Sequence, residues 1–143
     1  LIGVQNKNNE NKIVTTLTKD IAINITCDAV DKYLTIFSAY KIKPLVFNFI
    51  NVIEKNLEIV LTNSSITKIF IHLSCAIERI LLKDFILTSQ EEMSSYIINN
   101  ERYVNITNKA LEELTDNFNI TIPTNELYYI CEIVKDAYKQ ATT

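Results

Sequence analysis

The stretch Ser64-Ser65-Ile66-Thr67-Lys68-Ile69-Phe70-Ile71-His72-Leu73-Ser74-Cys75-Ala76-Ile77-Glu78-Arg79-Ile80-Leu81-Leu82 decides the fold. Its apolar residues Ile66, Ile69, Phe70, Leu73, Ala76, Ile77, Ile80 and Leu81 recur at three and four, the period of a helix, and Ile71 and Leu82 add apolar bulk on the opposite side. A helix apolar nearly all round belongs at the centre of a bundle. Ser64 or Ser65 is suited to cap its start. His72, Glu78, Arg79 and Lys83 interrupt the run, so it falls short of the roughly 18 uncharged apolar residues that cross a bilayer.

The same period extends outward on both sides. Upstream, Val30, Tyr33, Leu34, Phe37 and Tyr40 predict a first helix, with Asp28 and Asp31 at its positive end. Residues 41–43 read as a joint, and Pro44 opens a second helix through Val46, Ile50, Ile53, Leu57 and Val60 that stops near Asn63. Downstream, Thr88-x-x-Glu91 and Ser89-x-x-Glu92 both fit a capping box. Met93, Ile97, Asn100, Val104, Leu111, Leu114 and Phe118 then predict a long fourth helix with a break expected at 105–108. After a connection at 120–123, Thr124 caps a fifth helix carrying Leu127, Ile130, Cys131, Val134 and Tyr138. The prediction is all-α: a bundle of five antiparallel helices over residues 27–143, because the connections are short. Residues 1–26 read as a linker. Its polar run at 5–12 is a flexible connector, and the alternation of Ile21, Ile23 and Ile25 suggests a short strand or an extended arm.

At 143 residues, 48% hydrophobic and 22% charged, the chain is long enough for one self-sufficient core. One glycine and two prolines leave a β-barrel, a P-loop or a dinucleotide fingerprint without the residues they need at positive φ. Fourteen basic against seventeen acidic side chains argue against direct nucleic-acid binding, so any action on genes is expected through other parts of a longer protein. The chain does not begin with Met, as expected of such a piece, and its polar start lacks the apolar core of a secretory signal. Cys27, Cys75 and Cys131, odd in number and without a C-x-x-C, suit reduced thiols. A cytoplasmic location is the expectation.

No nucleophile elbow, zincin motif or Gly-rich phosphate loop is present, and no enzymatic activity, cofactor or metal is expected. His72 is the single histidine. With Cys75 three residues on and Cys131 brought in by packing it could hold zinc, although cysteines of this kind are more often core. Helical geometry puts Lys68, His72 and Arg79 within roughly 40° of one flank, Lys68 about 6 Å and Arg79 about 10 Å from His72 along the axis. The residues alone leave His72 either a hydrogen-bonded structural histidine or a phosphoryl acceptor.

The run His72-Leu73-Ser74-Cys75-Ala76-Ile77-Glu78-Arg79 resembles the signature H-[IL]-x-x-A-I-E-R of the PTS regulation domain, the PRD, a five-helix module of bacterial antiterminators and activators. Ile122-Pro123-Thr124-Asn125-Glu126-Leu127-Tyr128-Tyr129-Ile130 is similar to its second motif, I-P-x-[DN]-E-[IL]-x-Y-I, and the likeness covers roughly residues 27–140. The resemblance implies that His72 accepts a phosphoryl group from the phosphocarrier HPr or a sugar-specific enzyme IIB. Homodimerisation follows from the same likeness, with DNA and RNA polymerase reached only through other domains and no membrane. Ile133 stands where many PRDs carry a second histidine, a departure most like the domains of sigma-54-dependent, levanase-regulator-type activators. Lys68 would support the phosphoryl group. Arg79 and Glu126, both on motif positions, are expected to form an ion pair between the third and last helices. The alternative is a degenerate PRD that serves only as a dimerisation or scaffold domain.

Overall fold

The computed structural model describes residues 18–83 and 90–143. The described residues form six helices and no strand: α1 (18–31), α2 (Ala39–Leu57), α3 (Asn63–Leu82), α4 (Gln90–Asn99), α5 (Glu101–Phe118) and α6 (Thr124–Ala141). The all-α prediction holds and the count of five becomes six. The extra helix comes from a division of the predicted fourth one, and a second difference lies at 18–26, which is helical rather than a strand or extended arm. Ile23, Cys27 and Val30, at four and three, are buried, whereas Ile21 and Ile25 are exposed. The alternation that suggested a strand therefore came from two surface isoleucines flanking a helical stripe. The polar run at 5–12 and the capping boxes that begin at Thr88 and Ser89 lie outside the described residues.

Helix α2 starts at Ala39, not at Pro44, and absorbs the expected joint at 41–43. Ser38 caps it by accepting from the Tyr40 N–H, and Asp31 accepts from the Ala39 N–H at 2.8 Å and from the Ser38 hydroxyl at 3.1 Å. A carboxylate at a helix N-terminus meets both the free N–H groups and the dipole. Pro44 is tolerated inside α2, forgoing one hydrogen bond to Tyr40. Thr62, rather than Ser64 or Ser65, caps α3 by accepting from the Ser65 N–H at 3.1 Å. The predicted fourth helix divides at Asn100, upstream of the expected break at 105–108, giving α4 and α5. Pro123 occupies the N-cap of α6 without a side-chain bond, so Thr124 is inside the helix.

α2 packs against α5 and α3, α6 lies across α3 and α5, and α4 touches α5 and α6. Their inner faces form one core from Ile23 and Cys27 of α1, Phe49, Ile50 and Ile53 of α2, Ile66, Phe70, Leu73 and Ile77 of α3, Leu111 and Leu114 of α5, and Ile130 and Val134 of α6. At about 1.5–3 kcal/mol for each buried aliphatic or aromatic side chain, this burial is the dominant stabilising contribution. α3 is central as its composition predicted. It is buried along Ile66, Ile69, Phe70, Leu73, Ala76 and Ile77, and it turns the His72 edge outward.

The site around His72

His72 is exposed on α3 and lines an open cleft of about 1060 Å³ between α3, α4 and α6. His72 also borders a small apolar void of about 10 Å³ with Phe49, Leu73 and Ile133 at the edge of the core. The positions read from the sequence converge here: Lys68, His72 and Arg79 from α3 and Glu126 from α6 all face the same cleft.

Arg79 donates to Glu126 through Nε at 2.9 Å and through a terminal nitrogen at 2.8 Å, a bidentate pair between a half-exposed guanidinium and a carboxylate only 3% exposed. The hydrogen bonds to Glu126 push the Arg79 pKa above its ordinary value, against burial, which lowers it. Two fixed bonds with one buried partner make this a clamp between α3 and the first turn of α6. Lys68 pairs instead with Asp136 on α6 at 3.6 Å, both side chains about half exposed. Such a contact contributes at most about 1 kcal/mol. The two pairs link the start of α3 to the end of α6 and the end of α3 to the start of α6, so these two helices run in opposite directions.

Several contributors were not found from the sequence. Glu78, next to Arg79 in the same motif, accepts on one oxygen from the Thr35 N–H at 2.5 Å, the Thr35 hydroxyl at 2.9 Å and the Ile36 N–H at 3.2 Å. It thereby ties the α1–α2 connection to α3, and the Thr35 backbone bond above all holds its carboxyl below the usual range. On the α6 wall, Asn125, Tyr129, Glu132 and Asp136 recur at four, three and four, a polar stripe beside the apolar one that could have been read in advance. Tyr96 of α4 meets Tyr128 edge-on at 4.7 Å, and Tyr128 meets Tyr129 at 5.3 Å. Burial, with Glu132 adding to it, pushes the Tyr96 phenol well above its ordinary pKa. The cleft wall thus carries Lys68 and Arg79 against Glu92, Glu126, Glu132 and Asp136.

Among the described residues no three His, Cys, Asp or Glu side chains converge to hold a metal ion, so His72, Cys75 and Cys131 do not form a zinc site. All three cysteines are free thiols. No described helix is long and apolar enough to cross a membrane.

The structure is thus a helical bundle that turns His72 toward an open cleft, its carrier helix tied near both ends to α6. Residues 47–137 match the family model of the PRD domain, well over half of the chain, and the protein belongs to that family. It is therefore a regulatory module of the phosphotransferase-system type, a family whose members interact with components of that system. No curated protein and no solved structure matches the chain.

Proposed function

We propose that this domain is a phosphoryl-acceptor module of a bacterial transcription regulator of the sigma-54-dependent activator type. His72 is the acceptor and HPr or a sugar-specific enzyme IIB the donor. The observation that carries this reading is the exposure of the His72 imidazole on an open cleft, within a domain whose family signature it begins. A neutral ring nitrogen attacks phosphorus, the N–P bond forms and the donor's own bond to phosphorus breaks with its electron pair leaving on the donor. The product carries about −1.5 to −2 charge and several acceptor oxygens in place of a neutral ring. Lys68, one turn away on the same face, is the cation placed to receive them. The added charge controls activity through helix packing or dimerisation of a cytoplasmic homodimer, and DNA and RNA polymerase are engaged by other domains of the parent protein.

The test is incubation with phosphoenolpyruvate, enzyme I, HPr and a panel of enzyme IIB proteins, followed by intact mass. One phosphoryl group gained by the wild type and none by His72→Ala supports the proposal, with the variant's thermal midpoint within about 2 °C of wild type because His72 is exposed. No gain with any donor refutes it and leaves a scaffold domain.

A further inference from the structure

The two cations that α3 presents to the cleft are held very differently. Arg79 is engaged twice, at 2.9 and 2.8 Å, by a carboxylate 3% exposed, whereas Lys68 makes a single 3.6 Å contact to Asp136 between side chains 56% and 46% exposed. Lys68 also lies one helical turn from His72 on the same face, about 6 Å along the axis, and its ammonium rides on a flexible four-carbon stem. Arg79 is about two turns further on and already committed.

We propose that Asp136 is a stand-in for the phosphoryl group. In the unmodified domain it holds Lys68; once His72 is phosphorylated, Lys68 moves to the phosphoryl oxygens and Asp136 is left facing a dianion. This rests on the reading of His72 as the acceptor, and no bond changes beyond that transfer, only the partner of one ammonium. The choice of Lys68 over Arg79 follows from charge and exposure: a loosely held, solvated cation exchanges partners at little cost, and a phosphoryl group with nearly twice the charge of a carboxylate outcompetes one. Lys135 does not compensate, because it pairs with Glu132 at 3.4 Å and lies over the Tyr96 ring.

The consequence is directional. The α3–α6 seam has two charged anchors about 16 Å apart along α3. Phosphorylation leaves the Arg79–Glu126 anchor in place and turns the other from attraction to repulsion. α6 therefore opens at its Asp136 end and pivots near Glu126.

Lys68→Met and Asp136→Asn, each made in the wild type and in His72→Glu, test the exchange on the full chain by thermal midpoint. In the wild type both substitutions break the same exposed pair, and each lowers the midpoint by about 2 °C or less. With an anion at position 72 the signs separate: Lys68→Met lowers the midpoint further, and Asp136→Asn raises it by about 2 °C. In parallel, the phosphoryl-transfer equilibrium from a phosphorylated donor falls about threefold or more in Lys68→Met and rises about twofold in Asp136→Asn. The same sign for both substitutions in both His72 backgrounds overturns the exchange, as does a wild type phosphorylated on His72 whose equilibrium neither variant shifts; either result leaves the acceptor reading standing. No phosphorylation by any donor refutes the acceptor reading and the exchange with it, whatever the signs in His72→Glu.

Discussion

Replacing the two members of the Arg79–Glu126 clamp should have unequal effects, although each substitution breaks the same contact. The Glu126 side chain is 3% exposed and that of Arg79 42%. Arg79→Met strands a buried carboxylate without its counter-ion, a change that costs 3–5 kcal/mol in comparable sites. Glu126 lies in the first turn of α6, where the helix dipole returns about 0.5–1 kcal/mol to a negative charge, so we expect about 3 kcal/mol. Glu126→Gln keeps the side chain's shape and one acceptor, and the stranded guanidinium is exposed enough to take up water, so about 1 kcal/mol is lost. For a domain of this size, about 3–4 °C of thermal midpoint corresponds to 1 kcal/mol, giving drops of about 10 °C and about 3–4 °C. The double variant Arg79→Met/Glu126→Gln, with no charge left, should recover most of the larger loss, and the coupling energy read from the cycle should exceed about 1.5 kcal/mol. Circular-dichroism melts and urea titrations at neutral pH measure all four proteins. Equal losses in the two single variants, or a larger loss in Glu126→Gln, would refute the assignment of Glu126 as the buried, dependent partner.

Acid should erode one loop anchor selectively. The Glu78 pKa lies below its ordinary 4.5 in the folded protein, so its contribution is complete above that value and is lost as the pH falls through the depressed one; urea midpoints of wild type and Glu78→Ala should converge between pH 5 and the acid limit of folding, and a constant gap would contradict this. At the basic end, the Tyr40 phenol, hydrogen-bonded to Asp28, is pushed up to about 12. Its contribution is complete below the ordinary value of 10 and is lost as the pH rises through 12, and an ultraviolet titration should show Tyr40 returning toward 10 in Asp28→Asn. Burial raises the pKa of Cys27, Cys75 and Cys131, so native thiols should react with Ellman's reagent at least about tenfold more slowly than in urea, with the partly exposed Cys75 first. Immediate reaction of all three would show that the core is open.

What the sequence made legible was whatever repeats locally. α3 could be read almost to the residue because its apolar period is unbroken, and Arg79 and Glu126 could be paired because each sits on a motif position. The ends of α2 and both ends of α1 were harder, and for related reasons. Tyr33, Tyr40, Ile21 and Ile25 are apolar yet exposed, so counting them as core extended the first helix across the 32–38 connection and turned its start into a strand. A surface isoleucine carries the same letter as a buried one. Asp136 and Glu78 escaped notice because their partners, Lys68 and Thr35, lie 68 and 43 residues away in the chain, and nothing in local spacing encodes which α6 carboxylate will meet which α3 cation.

The helix ends bear on how deep the native well is. α2, α3 and α5 terminate on Glu58, Lys83 and Asn119, each in the left-handed region at φ of 54°, 56° and 52°, in a chain whose single glycine is Gly3. Side chains with a Cβ pay about 1 kcal/mol for that conformation, Asn somewhat less, and glycine would not. About 2–3 kcal/mol of attainable stability is thus forgone at three exposed helix ends. Because the same three ends persist however the helices pack, the loss falls on the folded state as a whole, and the margin that holds this bundle against unfolding is thinner than its core alone would set.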